Sequence, residues 1–138
     1  MFVREATPEE VPAVLGVLDA AALATDHAAV ERSVARGETL VAVAGDPDRP
    51  GTVVGALVLA GERIENVAVR RRRRGQGVGR ALVEAAAARR ERLVAECDAG
   101  AVPFYEALGF AVSPLDGAAS GDGERDDGER YRAVRESG

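Results

Sequence analysis

The sequence predicts a mixed α/β sheet flanked by helices, and three observations support this fold class. Apolar residues change along the chain from helical spacing to β-branched runs. Two of these runs, 39–45 and 51–61, are separated by a short turn-rich segment, which is typical of antiparallel strands. An alanine-rich helix then joins two further strands, which predicts that those strands are parallel neighbours. With 138 residues, 46% hydrophobic and 30% charged, the chain has the size of one globular domain, and we expect residues 1–138 to form it.

The first half of the chain has clear local signals. A short strand-like segment leads to Thr7, a helix cap, and to Pro8 at the first helical position, with acidic residues in the first turn. Apolar residues at helical spacing follow and predict an amphipathic helix. A second helix begins at about His27 and ends at Gly37. Three β-branched strands come next: Thr39–Gly45, Gly51–Gly61 and Arg63–Val69.

The second half alternates between helices and strands. A short helix has Pro103 in its first turn and Gly109 at its end. Residues 114–130 are rich in Gly and Asp, and we expect a flexible acidic loop there. The remaining predicted elements are an alanine-rich helix at Gly79–Arg90 and strands at Arg92–Asp98, Phe110–Ser113 and Tyr131–Arg135.

Composition excludes several classes of protein. The single cysteine, Cys97, excludes an internal disulfide and a cysteine-rich zinc site, and no other metal cluster is visible. No apolar stretch approaches the ~18–20 residues of a membrane span, and the first residues do not resemble a signal peptide. We therefore expect a cytoplasmic protein without a metal and without a membrane partner.

The charged residues are unusual in kind. All 18 basic residues are arginine, and 23 acidic residues give a net charge of −5. An acidic, lysine-free composition resembles that of proteins that work in concentrated salt. This hypothesis predicts that the protein unfolds when KCl is lowered to ordinary buffer.

Three glycines spaced two apart follow directly after the strand Arg63–Val69 and open the next helix. A helix N-terminus offers unpaired N–H groups and a partial positive charge, and glycines let a phosphate approach the backbone closely. The spacing of Gly75, Gly77 and Gly79 differs from both G-x-x-x-x-G-K-[ST] and G-x-G-x-x-G. A diphosphate site and a tight turn without ligand are both compatible with the glycines alone.

Five arginines, Arg70–Arg74, stand before these glycines. Nucleic-acid binding would require a wider basic surface with interleaved aromatic residues, whereas this chain is acidic and only 4% aromatic. We therefore expect no nucleic-acid partner. The run is either a solvated loop or a source of one or two guanidinium groups for phosphates.

The segment from Val69 through Arg74-Gly75-Gln76-Gly77-Val78-Gly79 to Leu82 resembles the acetyl-CoA motif of the GNAT superfamily, the Gcn5-related N-acetyltransferases, commonly written [Q/R]-x-x-G-x-[G/A]. Some 30 residues later, "VPFYEALGF" is similar to the other hallmark of this family, which ends F-Y-x-x-L-G-F. The N-terminal segment resembles the opening strand and helix of the family. The resemblance extends over residues 1–113.

The resemblance implies the GNAT fold, a sheet of six to seven strands splayed at two central parallel strands and flanked by about four helices. It implies acetyl-CoA as co-substrate, with the backbone of Val67 and Val69 bound to its pantetheine arm. Arg74 would contact a phosphate of the coenzyme. Arg71 stands where the family often has proline. The lack of proline at this position would loosen the loop. The N–H groups expected to bind the pyrophosphate belong to Gly75, Gln76, Gly77, Val78, Gly79 and Arg80.

Amide formation from a thioester requires a base and benefits from an acid. A protonated amine must lose a proton before it can attack, and the departing thiolate benefits from a proton donor. Tyr105 matches the tyrosine that often serves as donor in the family, with a packing role as the alternative. Glu65 and Glu96 resemble positions where some GNAT enzymes keep a glutamate that acts as base directly or through water, with Glu65 favoured slightly. The alternative for each is a solvated or salt-bridged strand carboxylate. Glu65 is expected to alternate with Val67 and Val69 along its strand.

Two nucleophilic or titratable residues are expected to stand outside the chemistry. Cys97 should point to the face of its strand opposite Glu96, which disfavours a covalent acetyl-cysteine route. His27 should be a surface helix residue.

The predicted function is direct acetyl transfer from acetyl-CoA to a primary amine in a ternary complex. The alternative is a non-catalytic acyl-CoA sensor or partner-docking module. The sequence does not identify the amine, which belongs to a small molecule, a protein N-terminus or a lysine. An exposed edge strand at the C-terminal end could pair with a second copy, which would make a homodimer.

Overall fold

The computed structural model of the chain describes residues 1–20, 26–45, 51–115 and 130–136. These residues form one seven-stranded sheet with four α-helices, as the sequence predicted. The strands are β1 (Phe2–Glu5), β2 (Thr39–Ala44), β3 (Thr52–Ala60), β4 (Arg63–Val69), β5 (Arg92–Cys97), β6 (Ala111–Pro114) and β7 (Tyr131–Glu136). The helices are α1 (Val11–Ala20), α2 (His27–Ala35), α3 (Val78–Arg89) and α4 (Val102–Ala107), and short 3₁₀ turns precede α1, α3 and α4.

The order of strands across the sheet is β1-β2-β3-β4-β5-β7-β6. All neighbours are antiparallel except β4 and β5, which are the parallel pair that the crossover helix α3 predicts. The predicted acidic loop falls almost entirely in residues 116–129, outside the described residues. At the edge, β6 has four residues and ends at Pro114, a residue with no N–H to donate to a further strand.

The parallel strands β4 and β5 pair only at Arg63 with Val94 and at Ile64 with Ala95. Directly after this contact, β4 contains a bulge: Leu59 of β3 is opposite Ile64, and Val58 is opposite Asn66. One extra residue bends a strand and increases its twist. The bulge therefore coincides with the point at which β4 and β5 separate, and a gap opens beyond it.

The bulge residue is Glu65. The predicted alternation of Glu65 with Val67 and Val69 is wrong, because the extra residue interrupts the two-residue period. Ile64, Val67 and Val69 all pack with the core under α3 and α4. Glu65 is instead exposed at the kink.

Two apolar cores lie on opposite faces of the sheet. Helices α3 and α4 cover one face, where Leu82 and Tyr105 pack with Leu57 and Leu93. Helices α1 and α2 cover the other, where apolar side chains of both helices pack with a second set of sheet residues: Val14, Val17, Leu18, Val30, Val34, Val41, Val43, Ala56, Val58 and Ala68. The helices thereby cover both faces of the sheet. The gap between β4 and β5 lies between these two layers of helices.

The N-terminal strand is joined to the first helix by an ion pair. Both terminal nitrogens of Arg4 donate to the Glu10 carboxylate, at 2.7 and 2.8 Å, and the Thr7 backbone N–H donates to the same carboxylate at 3.0 Å. The hydrogen bonds from Arg4 lower the pKa of Glu10 to about 2 and outweigh burial, which acts in the opposite direction.

Among the helices described, none has the length and apolar character needed to cross a membrane.

Candidate active site

The glycine segment turns strand β4 into helix α3. Gly75 and Gly77 have φ angles of 80° and 84°, in the left-handed region that side chains disfavour. Gly77 is the N-cap of α3, so the first N–H groups of that helix point to the end of the turn. At Gly79, a Cβ would lie 3.3 Å from the Phe104 ring of α4. The first two glycines thus supply backbone conformation, and the third lets α4 approach α3.

A fourth glycine, Gly55 on β3, also has a structural role, which the sequence analysis did not predict. A Cβ built there would lie 2.9 Å from Val78 Cγ1 and 3.1 Å from Leu82 Cδ1. Its absence lets the first turn of α3 lie directly on the sheet beside Val69, which is the register partner of Gly55. A glycine inside a β-branched run is the signal that indicates such a close approach.

The five arginines have different environments. Arg70 Nε donates to the Val53 carbonyl at 3.2 Å, and its guanidinium lies beside Gly16 of α1, so this residue ties the strand to a helix. Arg71–Arg73 form a 3₁₀ turn. Arg74 Nε donates to the Val69 carbonyl at 3.2 Å.

A cavity of about 550 Å³, hereafter the coenzyme cavity, lies between β4, the glycine segment and α4. All of the predicted coenzyme-binding residues except Gln76 line this cavity. The side-chain amide of Gln76 donates to the Arg72 carbonyl at 3.4 Å. Three guanidinium-bearing residues line it, and two of them belong to the arginine run. The lining residues are Val67, Ala68, Val69, Arg73, Arg74, Gly75, Gly77, Val78, Gly79, Arg80, Ala101, Phe104 and Tyr105.

The backbone of β4 is available to this cavity. Arg70 N–H donates to the Val54 carbonyl on β3 at 2.8 Å. Peptide groups of successive residues in a strand point to opposite edges, so those of Val69 and Val67 point away from β3 and into the gap. An extended molecule placed there would meet a row of donors and acceptors like those of a neighbouring strand.

Tyr105 of α4 lies at the end of the coenzyme cavity. Its ring is 5% exposed and packs edge-on against Phe104 and Phe110, with ring centroids 5.0 and 5.1 Å apart. Burial, with a smaller effect from Cys97, raises the pKa of Tyr105 to about 12, so the phenol is neutral at ordinary pH. The described residues form no hydrogen bond to its hydroxyl group.

A second cavity, of about 430 Å³, adjoins the first and is called the acceptor cavity below. It shares Val67, Ala101 and Tyr105 with the coenzyme cavity. Its lining also includes both predicted bases, Glu65 and Glu96. The fold thus brings together the three predicted catalytic side chains, which come from β4, β5 and α4.

Arg63, which the sequence analysis did not single out, connects the two glutamates. Its Nε lies 3.0 Å from Glu65 and its Nη2 lies 3.4 Å from Glu96. The sequence contained one signal for this contact. Arg63 stands two positions before Glu65 in the same strand, and side chains two residues apart lie on the same face of a strand. Arg63 keeps two carboxylates close together that would otherwise repel each other.

Cys97 follows Glu96 but belongs to the opposite face of β5. Burial alternates along this strand, with Leu93, Ala95 and Cys97 buried and Glu96 half-buried, as predicted. Burial, and to a lesser degree Asp98, raises the pKa of the Cys97 thiol, which disfavours the reactive thiolate. His27 is exposed at the start of α2, also as predicted. Within the described ranges, no group of His, Cys, Asp and Glu is arranged to hold a metal ion.

The family model for the acetyltransferase (GNAT) domain matches residues 35–112, more than half of the chain. The chain belongs to the GNAT acetyltransferase family. Its matched region contains β2 through α4 and the first half of β6, and therefore the glycine segment, both glutamates and Tyr105.

Several solved structures share this fold. Ard1 from Thermoplasma volcanium superposes with a TM-score of 0.72 at 22% identity, covering 97% of this chain and 95% of that one. Rv2747 from Mycobacterium tuberculosis, solved in complex with CoA and NLQ, gives 0.72 at 21% identity with 99% of each chain covered. The apo form of YjaB from Escherichia coli gives 0.61 at 25% identity, covering 96% and 95%. No curated protein matches the sequence of this chain significantly.

Proposed function

We propose that the 138 residues act as one domain that transfers the acetyl group of acetyl-CoA directly to a primary amine in a ternary complex. The observation that carries this proposal is the position of Tyr105 in the wall shared by the coenzyme and acceptor cavities. A thioester at the end of one cavity and an amine in the other would meet beside the same phenol. Direct attack then requires no covalent enzyme intermediate.

The coenzyme cavity fits the chemistry of acetyl-CoA. The peptide groups of Val67 and the N–H of Val69 face the gap and suit the amide groups of a pantetheine arm, whereas the Val69 carbonyl accepts from Arg74 Nε at 3.2 Å. The N-terminus of α3 with Gly75 and Gly77 suits a diphosphate. Arg73, Arg74 and Arg80 supply positive charge for phosphates, and the volume of about 550 Å³ is within the usual range for a cofactor site.

A carboxylate in the acceptor cavity would remove the proton from the amine. The amine nitrogen then attacks the thioester carbonyl carbon, and the bond from that carbon to sulfur breaks. Glu65 is the base that we propose, because it is exposed at the bulge and lines the acceptor cavity. Glu96, held by the same arginine, is the alternative base.

Tyr105 would stabilise the departing thiolate. With a pKa of about 12, the phenol remains protonated and can donate a hydrogen bond. An ordinary alkyl thiol has a pKa of about 8.5, so complete proton transfer from this phenol to sulfur is uphill. The attacking nitrogen loses a second proton as the bond to sulfur breaks, and this proton neutralises the thiolate. Tyr105 acts by hydrogen-bond donation during cleavage.

Composition supports a proposal about the environment of the enzyme. The absence of lysine, the excess of acidic residues and a single buried cysteine are consistent with a salt-rich cytoplasm. Thermal unfolding measured from molar to millimolar KCl tests this proposal. A melting temperature that does not change with salt would contradict it.

The experiment that tests the function is free-thiol release from acetyl-CoA in molar KCl, with a panel of small amines and N-terminal peptides. Release stimulated by an amine should fall about 100-fold in Tyr105→Phe. A reaction without amine removes the background from Cys97. Binding of acetyl-CoA without turnover of any amine would contradict the enzyme proposal and favour the non-catalytic sensor.

A further inference from the structure

A third cavity, of about 390 Å³, lies between α2 and the adjoining ends of β3 and β4. This α2 cavity has no part in the transfer step described above. It shares Glu65 and Asn66 with the acceptor cavity. A group bound in it would therefore lie next to the reacting amine and could belong to the same molecule.

Two arginines of the α2 cavity lack acidic partners. Arg32 and Arg36 are four residues apart on one face of α2, and both are exposed. Neither forms an ion pair with a carboxylate in the part of the chain that the structure describes.

Two of the three acidic residues of the same cavity are paired with arginines outside its lining. Glu38 Oε2 accepts from Arg90 at 3.1 Å, whereas Glu38 Oε1 is buried without a hydrogen-bond partner among the described residues, and Glu65 is paired with Arg63 at 3.0 Å. Asp26 caps α2 by accepting from the Ala29 N–H at 3.2 Å and keeps its negative charge. With these partners counted, four guanidinium groups stand against three carboxylates, so the net charge at the α2 cavity is positive.

The acceptor cavity has the opposite balance. Its lining includes the three carboxylates of Glu65, Glu96 and Asp98 and one guanidinium, that of Arg130. With Arg63 counted as the partner of both glutamates, three carboxylates stand against two guanidinium groups, so the net charge is negative. The acceptor cavity therefore attracts a cation, such as an amine before it loses its proton, whereas the α2 cavity attracts an anion.

We propose that the amine acceptor carries a carboxylate, with its amine in the acceptor cavity and its carboxylate bound by Arg32 and Arg36. The proposal rests on the transfer activity proposed above. A guanidinium matches a carboxylate in geometry as well as charge, and two of them on one helix face can hold one group. The carboxylate could come from a free amino acid or from an acidic residue at the N-terminus of a peptide.

The experiment compares matched acceptors in two arms, at the lowest KCl concentration that keeps the protein folded. One arm compares glutamate with glutamine amide, in which both carboxylates are replaced. The other compares the peptide amides Glu-Ala-Ala and Gln-Ala-Ala, whose α-amines have similar basicity. Thiol release should have a kcat/KM about two- to fivefold higher for the acidic member in at least one arm, the range expected for exposed ion pairs. The arm that responds identifies the source of the carboxylate.

The double variant Arg32→Gln, Arg36→Gln should lose this preference through a higher KM for the acidic acceptor, with the neutral member unchanged. Arg89→Gln, at the exposed end of α3 where Arg89 donates to the Ala85 carbonyl, is the matched control and should keep the preference. Unchanged coenzyme A binding in the double variant shows that it is folded.

Two results would overturn the proposal. One is equal kcat/KM within both pairs, and the other is a preference that survives in the double variant. If neutral amines are still turned over, the acetyltransferase proposal stands and only the acceptor class is wrong. If no acceptor releases thiol although coenzyme A binds, both proposals fail.

Discussion

Arg63 Nη2 lies 3.4 Å from Glu96 Oε1 on the neighbouring strand, and the same guanidinium contacts Glu65 of its own strand at 3.0 Å. Arg63 is paired with Val94 at the short parallel contact between β4 and β5. One positive charge therefore joins the two strands and both candidate bases just before the strands separate. This arrangement holds both candidate bases beside each other in the lining of the acceptor cavity.

Replacing Arg63 should lower the activity because it releases the two glutamates from each other. In Arg63→Gln the guanidinium group that contacts both carboxylates is absent, so neither side chain is held in place by it. The kcat/KM should fall about two- to fivefold, whereas Arg63→Lys should stay near the wild type. Equal kcat/KM for the Gln and Lys variants would show that the charge of Arg63 does not position the base.

The two glutamates can be separated by single substitutions. We expect Glu65→Gln to lower kcat about 100-fold and to remove the acidic limb of the pH–rate profile, because it deletes the base. Glu96→Gln should keep that limb and lose less activity. Steady-state kinetics over a range of pH distinguish them, and the reverse pattern would assign the base to Glu96.

Tyr105 should ionise late and should make stability depend on alkaline pH. Its pKa in the folded protein, about 12, lies above the ordinary value of 10.0. The neutral phenol thus adds stability below pH 10, about 2–3 kcal/mol from the size of the shift, and this contribution is lost as pH rises from 10 to 12.

Two measurements check the Tyr105 prediction. Tyrosinate absorbance should show a late titration phase, since the chain has only two tyrosines, and Tyr105→Phe should remove it. The difference in stability between wild type and variant should shrink from pH 10 to pH 12. A difference that stays constant over this interval would mean that the phenol is not shielded from water.

Arg74 should contribute to coenzyme binding, whereas its neighbour Arg71 should not. Arg74 lines the coenzyme cavity, and Arg71 is exposed outside the lining. Isothermal titration in stabilising salt should give a dissociation constant for acetyl-CoA about three- to tenfold higher in Arg74→Ala. Arg71→Ala should match the wild type, and equal values for both variants would reject a specific role for Arg74.

Gly55 should tolerate no side chain. In Gly55→Ala the new Cβ would lie 2.9 Å from Val78 Cγ1 and 3.2 Å from the Ala68 carbonyl oxygen, so the first turn of α3 must move. Overpacking of this kind typically costs about 1–3 kcal/mol of unfolding free energy, and acetyl-CoA binding should weaken with it. Gly100→Ala, whose nearest contact would be 3.4 Å away, is the control for both measurements.

The predictions that succeeded from sequence depend on local signals. The period of the apolar residues, the proline and glycine positions and the motif spacing determined the element order and the sheet class. Each of these features is visible within a window of a few residues. The resemblance to the family named Tyr105, Glu65 and Glu96, and the fold brings all three into the lining of the acceptor cavity.

The features that the sequence analysis missed depend on the pairing between strands. The bulge at Glu65 appears only when β4 is set against β3, and Arg63 meets Glu96 only because β5 lies beside β4. Gly55 matters because Val78 lies above it. Within the arginine run, Arg70 and Arg74 have identical side chains, and the hydrogen bonds of the folded chain separate them.

The extra residue in β4 has an implication for how such an enzyme can diversify. It frees one side chain from the alternating pattern of the strand while Val67 and Val69, beyond it, return to that pattern. The bulge can therefore present the proposed base to the acceptor cavity without altering the backbone that faces the coenzyme. New acceptor chemistry can arise in α2, on a donor-binding frame that stays the same.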